Sequence, residues 1–272
     1  MIIDFHTHAF PSAIAEKAMK KLAAVAGVPY YGDGTAEAVT KNLEKCGADM
    51  AVIHTIATRP DNLKKINDYA VSHDGILSGD EKYAKAVRFC GIHQDAPDAL
   101  EEMERLHKLG VKGIKLHPDY QDFMIDDKKL YPIYDAARSM GLIVVFHAGW
   151  DPLSPDLVHA PPERSAKVLR DFPGMKTVLA HLGGMKMYGE VRDLLAGKFP
   201  DLYVDTSMSR GIVTKELMTE IIKRQGADKV LFGSDFPWHE SLYELELVEL
   251  LDISRSEKDL IEGENARALL GL

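Results

Sequence analysis

The chain has 272 residues, of which 46% are hydrophobic and 28% are charged, the usual balance of a globular protein with a full core. Its net charge of −9 argues against a nucleic-acid binder that depends on phosphate neutralisation, but it leaves room for a small anion held by one or two cationic side chains. The two cysteines, Cys46 and Cys90, are too few for a disulfide framework or a thiolate metal cluster. We find no signal peptide and no apolar run of membrane-spanning length, so we expect a cytoplasmic protein without a membrane partner.

The first eight residues predict a short buried strand that ends in two histidines, His6 and His8. Side chains two positions apart leave the same face of a strand, so both imidazoles can point at one spot. Such a pair is half of a metal site.

The segment that follows makes a long excursion before the next strand. It contains a predicted helix at 11–26 that is stopped by Gly27, a glycine-containing loop at 28–35, and a second helix at 37–46. Loops of this kind often cover a site.

The rest of the chain alternates apolar runs with helical patterns. Seven further strands are predicted at 50–56, 86–93, 111–117, 142–147, 176–181, 202–205 and 230–235, and helices between them include 99–109, 130–140, 163–171 and 215–225. The runs are nearly continuous, as in parallel strands covered on both faces. Eight such units indicate an α/β fold, a single (β/α)8 TIM barrel spanning 1–272. A doubly wound sheet is the alternative, but the glycine-rich turn that it usually carries after the first strand is missing.

The tail at 256–272 predicts two short closing helices. Ser256 and Asp259 are spaced as a capping box for the first of them.

The predicted strand ends carry most of the chemistry. Seven of the eleven histidines fall there: His6, His8, His54, His93, His117, His147 and His181. Lys115, Asp205 and Asp235 end the fourth, seventh and eighth strands, whereas His73, His107, His159 and His239 fall in helices or loops. Active sites of such barrels lie at the carboxyl ends of the strands, and imidazole with carboxylate suits zinc or a similar ion. The ion would make hydroxide available at neutral pH, with Asp235 placed to take a proton.

Six motifs in order resemble those of the amidohydrolase superfamily, over nearly the whole chain. They are DFHTH (4–8), GIKLHP (113–118), FHAG (146–149), AHLGG (180–184), GSDFP (233–237) and ENARALL (264–270). More narrowly, they are similar to the branch with aminocarboxymuconate-semialdehyde and resorcylate decarboxylases. The resemblance implies that His6, His8, His147 and Asp235 bind one metal ion. It also implies that His181 is an acid/base or water-orienting residue, or a ligand to a second metal.

Lys115 departs from the simplest pattern of that branch. Some members of the superfamily carry a carbamylated lysine on the fourth strand that bridges two metals. If Lys115 remains an ammonium, it pairs with a substrate carboxylate instead, and this is the interpretation that we favour.

The remaining candidates belong to the pocket wall. His117, Arg59, Arg210 and Trp150 are expected, with Lys115, to bind substrate, the arginines by clamping a carboxylate. Each also has a structural alternative: a strand-end hydrogen bond for His117, a solvated loop for the arginines, and packing for Trp150. We expect His54 and His93 to lie in the barrel interior, Asp205 to orient a ligand or cap a turn, and Trp238 and His239 to line the rim.

The sequence thus predicts a hydrolase that attacks an amide, ester or lactone of a small carboxylated substrate with metal-activated water. The alternative is a nonoxidative decarboxylase of a small aromatic or unsaturated acid, and a third is a non-catalytic binding barrel. The expected cofactor is one divalent ion, zinc ahead of manganese, with a second ion if Lys115 is carbamylated. The sequence leaves open whether the protein forms a homodimer.

Overall fold

The computed structural model describes residues 1–83 and 85–272, in which eight parallel strands pair in chain order. The strands are β1 (Ile3–Thr7), β2 (Met50–His54), β3 (Ala86–Gly91), β4 (Gly113–Leu116), β5 (Ile143–Phe146), β6 (Thr177–Leu179), β7 (Leu202–Asp205) and β8 (Val230–Leu231).

Backbone hydrogen bonds between the last and first strands close the sheet into a barrel. The Phe5 amide donates to the Phe232 carbonyl at 2.8 Å, and the Asp235 amide donates to the His6 carbonyl at 2.8 Å. Regular pairing of β8 therefore ends at Leu231, before the predicted end at 235, because the following residues bond to β1 instead. The predicted (β/α)8 barrel is confirmed.

Helices follow the strands around the outside. They are α1 (Ser12–Ala26), α2 (Ala36–Cys46), α3 (Leu63–Ser72), α4 (Ala99–Lys108), α5 (Pro118–Gln121), α6 (Tyr131–Met140), α7 (Pro162–Asp171), α8 (Tyr188–Leu194), α9 (Lys215–Gln225), α10 (Ser241–Glu249), α11 (Arg255–Asp259) and α12 (Asn265–Leu270). The predicted helices are confirmed to within one or two residues. Gly27 ends α1 in the left-handed conformation, with φ of 66°, a backbone region that glycine enters without strain.

The tail contains the two predicted helices, α11 and α12, joined by a π-helical turn at Leu260–Glu264. The predicted capping box at Ser256 and Asp259 is wrong, because Ser256 lies inside α11. Ser254 has the extended backbone of an N-cap, its hydroxyl accepts from the Glu257 amide, and its own amide donates to the Glu257 carboxylate.

Apolar side chains fill the barrel below the site. One buried cluster lines the interior: Ile3, Phe5, Val52, Val87, Phe89, Ile143, Val145, Val178 and Leu231. A larger cluster packs the strands against the helices. Burying each large apolar side chain contributes about 1.5–3 kcal/mol to the stability of the fold. The packed interior therefore fixes the positions of the polar residues at the strand ends.

The loop at 28–35 packs beside the carboxyl end of β8. The Tyr31 amide donates to the Pro237 carbonyl at 2.7 Å, and the Phe10 amide donates to the Gly34 carbonyl at 2.8 Å. This part of the excursion therefore lies next to the barrel mouth. Among the described residues, no helix has the length and apolar character needed to cross a membrane.

Candidate metal centre

His6 is buried at the end of β1, and Asp205 on β7 fixes its tautomer. Its Nδ1 lies 2.8 Å from Asp205 Oδ2, and since a carboxylate accepts, Nδ1 carries the proton. The lone pair is therefore on Nε2, on the other side of the ring. Burial, with a smaller contribution from Lys115, holds the pKa of His6 well below its ordinary value, so the ring is neutral.

His8 is oriented in the same manner by a backbone group. Its Nδ1 lies 3.2 Å from the His54 carbonyl oxygen, which can only accept. The proton is again on Nδ1 and the lone pair on Nε2. His54 is held in turn by its Nε2, 2.8 Å from the Phe5 carbonyl, which fits its expected place in the barrel interior.

Asp235 joins these two imidazoles after β8. Its Oδ1 lies 3.3 Å from His6 Nε2 and 3.1 Å from His8 Nε2. Gly233 makes room for the group, because a Cβ there would lie 2.9 Å from His6 Cβ. Two lone pairs and a carboxylate oxygen thus face one another, and none of the three groups can donate a proton to the others, an arrangement that a cation satisfies.

The donor set therefore fits a divalent ion. His6, His8 and Asp235 each offer one ligand atom, and these atoms lie within 4.8 Å of one another. Three protein ligands with room for a further one is the pattern of a catalytic zinc site. These three residues would hold the ion.

Lys115 lies at the same spot. Its buried Nζ is 3.2 Å from His6 Nε2, and no carboxylate oxygen of the described residues lies within 4.0 Å of it. Burial lowers the pKa of Lys115 to about 8, although Asp205 and Asp235 act in the opposite direction. The ammonium can pair with an anion that enters the site.

His181 and His147 form a second hydrogen-bonded pair. His181 Nδ1 lies 3.3 Å from the Ser207 carbonyl, so it carries the proton, and His181 Nε2 accepts from His147 Nδ1 at 3.0 Å. His147 Nε2 is left with a lone pair and has no hydrogen-bond partner among the described residues. Burial lowers the pKa of His181, although Asp235 and Asp205 act in the opposite direction.

His147 has different neighbours from those expected. Because His181 takes its Nδ1 proton, the free Nε2 lies 3.4 Å from Asp151 Oδ2, and His147 groups with His117 and Asp151. The His117 ring stacks on it at 4.3 Å between centroids. That His147 completes the first metal group stays a prediction.

The three other substrate-binding candidates make contacts of their own. Arg59 is exposed and pairs with Asp61 at 3.1 Å. Arg210 donates to Glu246 at 2.6 Å and to the Tyr243 carbonyl at 2.7 Å, with its guanidinium over the Tyr243 ring. Trp150 donates to the Pro155 carbonyl at 3.2 Å, under the Lys186 ammonium. Their roles in substrate binding stay predictions.

Three polar residues just beyond the strand ends join the site although the sequence did not predict them there. Asp119 and Asp151 follow His117 and His147 by two and four positions, and His159 was assigned to a loop. His159 Nδ1 lies 3.0 Å from Asp119 Oδ1. Their closeness in sequence to predicted site histidines is the signal that could have found the two aspartates.

Comparisons with known proteins agree with this architecture. The family model described as Amidohydrolase matches residues 3–272. A 2-amino-3-carboxymuconate-6-semialdehyde decarboxylase of Dictyostelium discoideum is 24% identical in an alignment of 279 positions, gaps included, that covers 85% of this chain and 75% of that protein.

Two solved structures illustrate the shared fold. An uncharacterized TIM-barrel protein from Bordetella bronchiseptica has a TM-score of 0.74 at 18% identity, over 99% of this chain and 98% of the other. A dihydroxybenzoic acid decarboxylase from Polaromonas, solved with bound manganese, has a TM-score of 0.70 at 14% identity, over 100% and 97%. With a family model that matches almost its whole length, the chain belongs to the amidohydrolase family.

Proposed function

We propose that the protein is a metal-dependent carboxy-lyase that releases CO2 from a small aromatic or unsaturated acid. The observation that carries this proposal is the relationship to a protein named as a decarboxylase over 85% of the chain. From the sequence alone we favour hydrolysis over decarboxylation, and this relationship is the reason for now proposing decarboxylation first.

The charges of the site favour an anionic substrate. The pKa values of His6, His147 and His181 are lowered, chiefly by burial, so these rings are neutral. Asp235 and Asp205 supply two negative charges, which a divalent ion balances. Lys115 then adds one positive charge that has no carboxylate oxygen within 4.0 Å among the described residues, and a substrate carboxylate or phenolate can pair with it.

A divalent ion held by His6, His8 and Asp235 would act as a Lewis acid on a bound substrate oxygen. The manganese in the Polaromonas decarboxylase makes manganese a candidate equal to zinc.

The chain's own groups position the substrate and supply a proton. Lys115 pairs with the anionic group and orients it at the end of β4. When the bond to the carboxylate carbon breaks, the electron pair stays on the substrate carbon, which then takes a proton. We assign that proton to His181 Nε2, which accepts from His147 Nδ1 in the free protein and would give up that contact to carry the proton when the anion binds, while Nδ1 keeps its bond to the Ser207 carbonyl.

Hydrolysis is the second candidate, and the position of Lys115 favours it. With Nζ 3.2 Å from His6 Nε2, a carbamate on Lys115 could contact an ion bound there. A bridged pair of ions would then supply the nucleophile for an amide, ester or lactone.

A substrate screen on metal-reconstituted protein tests the choice. Protein loaded with Mn²⁺ or Zn²⁺ is assayed for CO2 release from ortho-hydroxybenzoates and unsaturated dicarboxylates, and for hydrolysis of lactones, esters and N-acyl amino acids. We expect CO2 from at least one acid, and none from His6→Ala or Asp235→Asn protein with an unchanged circular dichroism spectrum.

Asp252→Asn, which changes the same charge at a side chain that is 99% exposed, is the control and should keep full activity. Hydrolysis without CO2 release would replace the proposal with the second candidate. Saturable binding without any product would favour a non-catalytic barrel.

A further inference from the structure

A second group of metal-type ligands lies beside the first. His117 follows β4, His147 follows β5, and Asp151 lies four residues further along the chain; their ligand atoms lie within 4.8 Å of one another. All three residues are buried, with 6%, 7% and 6% of their surfaces exposed.

Two facing acceptor atoms in this group lack a hydrogen-bond donor among the described residues. His147 Nε2 carries a lone pair, since His147 Nδ1 donates to His181. It faces Asp151 Oδ2 at 3.4 Å and Asp119 Oδ2 at 4.0 Å. Neither His147 Nε2 nor Asp119 Oδ2 has a hydrogen-bond partner among the described residues, and a buried polar atom without a partner destabilises the folded state.

Both carboxylates are anchored so that one oxygen stays free. Asp119 Oδ1 accepts from the Ser154 hydroxyl and lies 3.0 Å from His159 Nδ1, while Asp151 Oδ1 accepts from the Leu153 amide at 2.7 Å. Supporting hydrogen bonds of this kind are typical of metal-ligating carboxylates. No lysine or arginine nitrogen of the described residues lies within 4.0 Å of either group.

We propose that His117, His147 and Asp151, with Asp119 beside them, bind a second divalent cation of the zinc or manganese class. Imidazole nitrogen with carboxylate oxygen suits these ions, and the cation supplies the charge that the facing acceptors lack. For His117 Nε2 to coordinate, its proton moves to Nδ1, which faces Asp119 Oδ2 at 4.0 Å. Among the described residues, this shift gives up one long hydrogen bond to His117 Nδ1, donated by the Tyr120 amide at 3.4 Å.

This site differs from a pair of ions bridged by a modified lysine, and it assigns His147 to the second ion instead of the first. Neither Lys115 nor His181 belongs to the group; His181 only holds the His147 ring. The site also does not depend on which reaction the first ion supports.

The number of ions bound per chain tests the proposal without any substrate. Protein stripped with a chelator is titrated with Mn²⁺ in equilibrium dialysis, and bound metal is measured by elemental analysis. We expect two ions per chain for the wild type. One ion per chain, or none, would overturn the proposal.

Matched variants assign each ion to its group. Asp151→Asn should lower the affinity for one of the two ions by at least about 100-fold and leave the affinity for the other unchanged; 100-fold is the upper end for losing a residue that only supports a ligand. Asp235→Asn should instead lower the affinity for the other ion by a similar factor. Asp156→Asn, an exposed position on the same loop as Asp151, is the control and should keep both.

Lys115→Met separates the proposal from a lysine-bridged pair, because the ion at His147 and Asp151 should remain. Loss of that ion in Lys115→Met, or its retention in Asp151→Asn, would overturn the proposal. If Asp151→Asn protein does not fold, the number of Mn²⁺ ions bound per chain by Lys115→Met protein decides: two ions support the second site, and one ion contradicts it.

Discussion

Asp205 joins two histidines of the site through its two carboxylate oxygens. Oδ2 lies 2.8 Å from His6 Nδ1, while Oδ1 accepts from the backbone amides of His181 at 3.0 Å and Ser207 at 3.1 Å. One buried carboxylate thus sets the tautomer of the His6 ring and the position of the His181 backbone.

Asp205→Asn should therefore impair metal binding although Asp205 is not itself a ligand. The two backbone donors will retain the amide oxygen, so the amide NH₂ faces His6 Nδ1 and moves the His6 proton to Nε2. We expect metal affinity to fall about 10- to 100-fold with the fold intact, measured by competition with a chromogenic chelator. Unchanged affinity, relative to the Asp252→Asn control, would show that the tautomer is not set in this way.

Lys115→Met should stabilise the metal-free protein in a pH-dependent manner. Burial lowers the pKa of Lys115 from 10.5 to about 8, so at pH 7 the folded state holds a poorly solvated charge at a cost on the order of 3 kcal/mol. Above pH 8 the folded wild type releases this proton while the unfolded chain keeps it until about 10.5. The wild type thus gains stability as the pH rises, and the advantage of the variant should shrink by about 2 kcal/mol near pH 9.5.

Urea unfolding of both proteins in chelator at several pH values measures this difference. Lys112→Met, at an exposed position, is the control and should show no such trend. A difference between Lys115→Met and wild type that does not change with pH would contradict a buried ammonium at this position.

His181→Gln should lower kcat without removing metal. A positioned proton donor contributes about 100- to 10,000-fold, so we expect a loss in that range once a substrate is known. The ion at His6, His8 and Asp235 should stay bound, because His181 lies outside that ligand group. His107→Gln on the exposed face of α4 is the control. Loss of the ion at His6, His8 and Asp235 together with turnover would instead make His181 a ligand to that ion.

The two loop arginines should differ in their effect on substrate binding. The Arg59–Asp61 pair is exposed, with side chains 65% and 70% accessible, so it is weak and Arg59 is free to turn toward a carboxylate. Arg210 is held by Glu246, by the Tyr243 carbonyl and by the Tyr243 ring.

We therefore expect Arg59→Ala to raise KM for a carboxylated substrate several-fold, and Arg210→Ala to change it less than about twofold. Steady-state kinetics of the two alanine variants compare them directly. The reverse order would place the carboxylate at the β7 loop.

The barrel and the positions of its site histidines could be predicted from sequence because both follow from local periodicity. His6 and His8 end an apolar run two residues apart, and that spacing alone puts them on one face of β1. The end of β8 could not be predicted, because hydrogen bonds to β1, more than 220 residues earlier in the chain, set where its regular pairing stops.

The proton positions could not be predicted either, since each depends on a partner that is distant in sequence. Asp205 lies 199 residues from His6, and nothing near either residue indicates that they meet. The grouping of His147 with His117 and Asp151 could not be predicted from sequence. The free nitrogen of His147 faces Asp151 because His181 binds the other ring nitrogen, and this contact forms only when β5 and β6 lie side by side.

The position of the bound ion tests the central claim most directly. Crystals of protein reconstituted with zinc or manganese, with anomalous diffraction recorded at the absorption edge of the metal, would locate it. We predict a peak at about 2.0–2.2 Å from His6 Nε2, His8 Nε2 and Asp235 Oδ1, and no peak there in Asp235→Asn crystals. A fully loaded wild-type crystal without a peak between these three atoms would contradict the account.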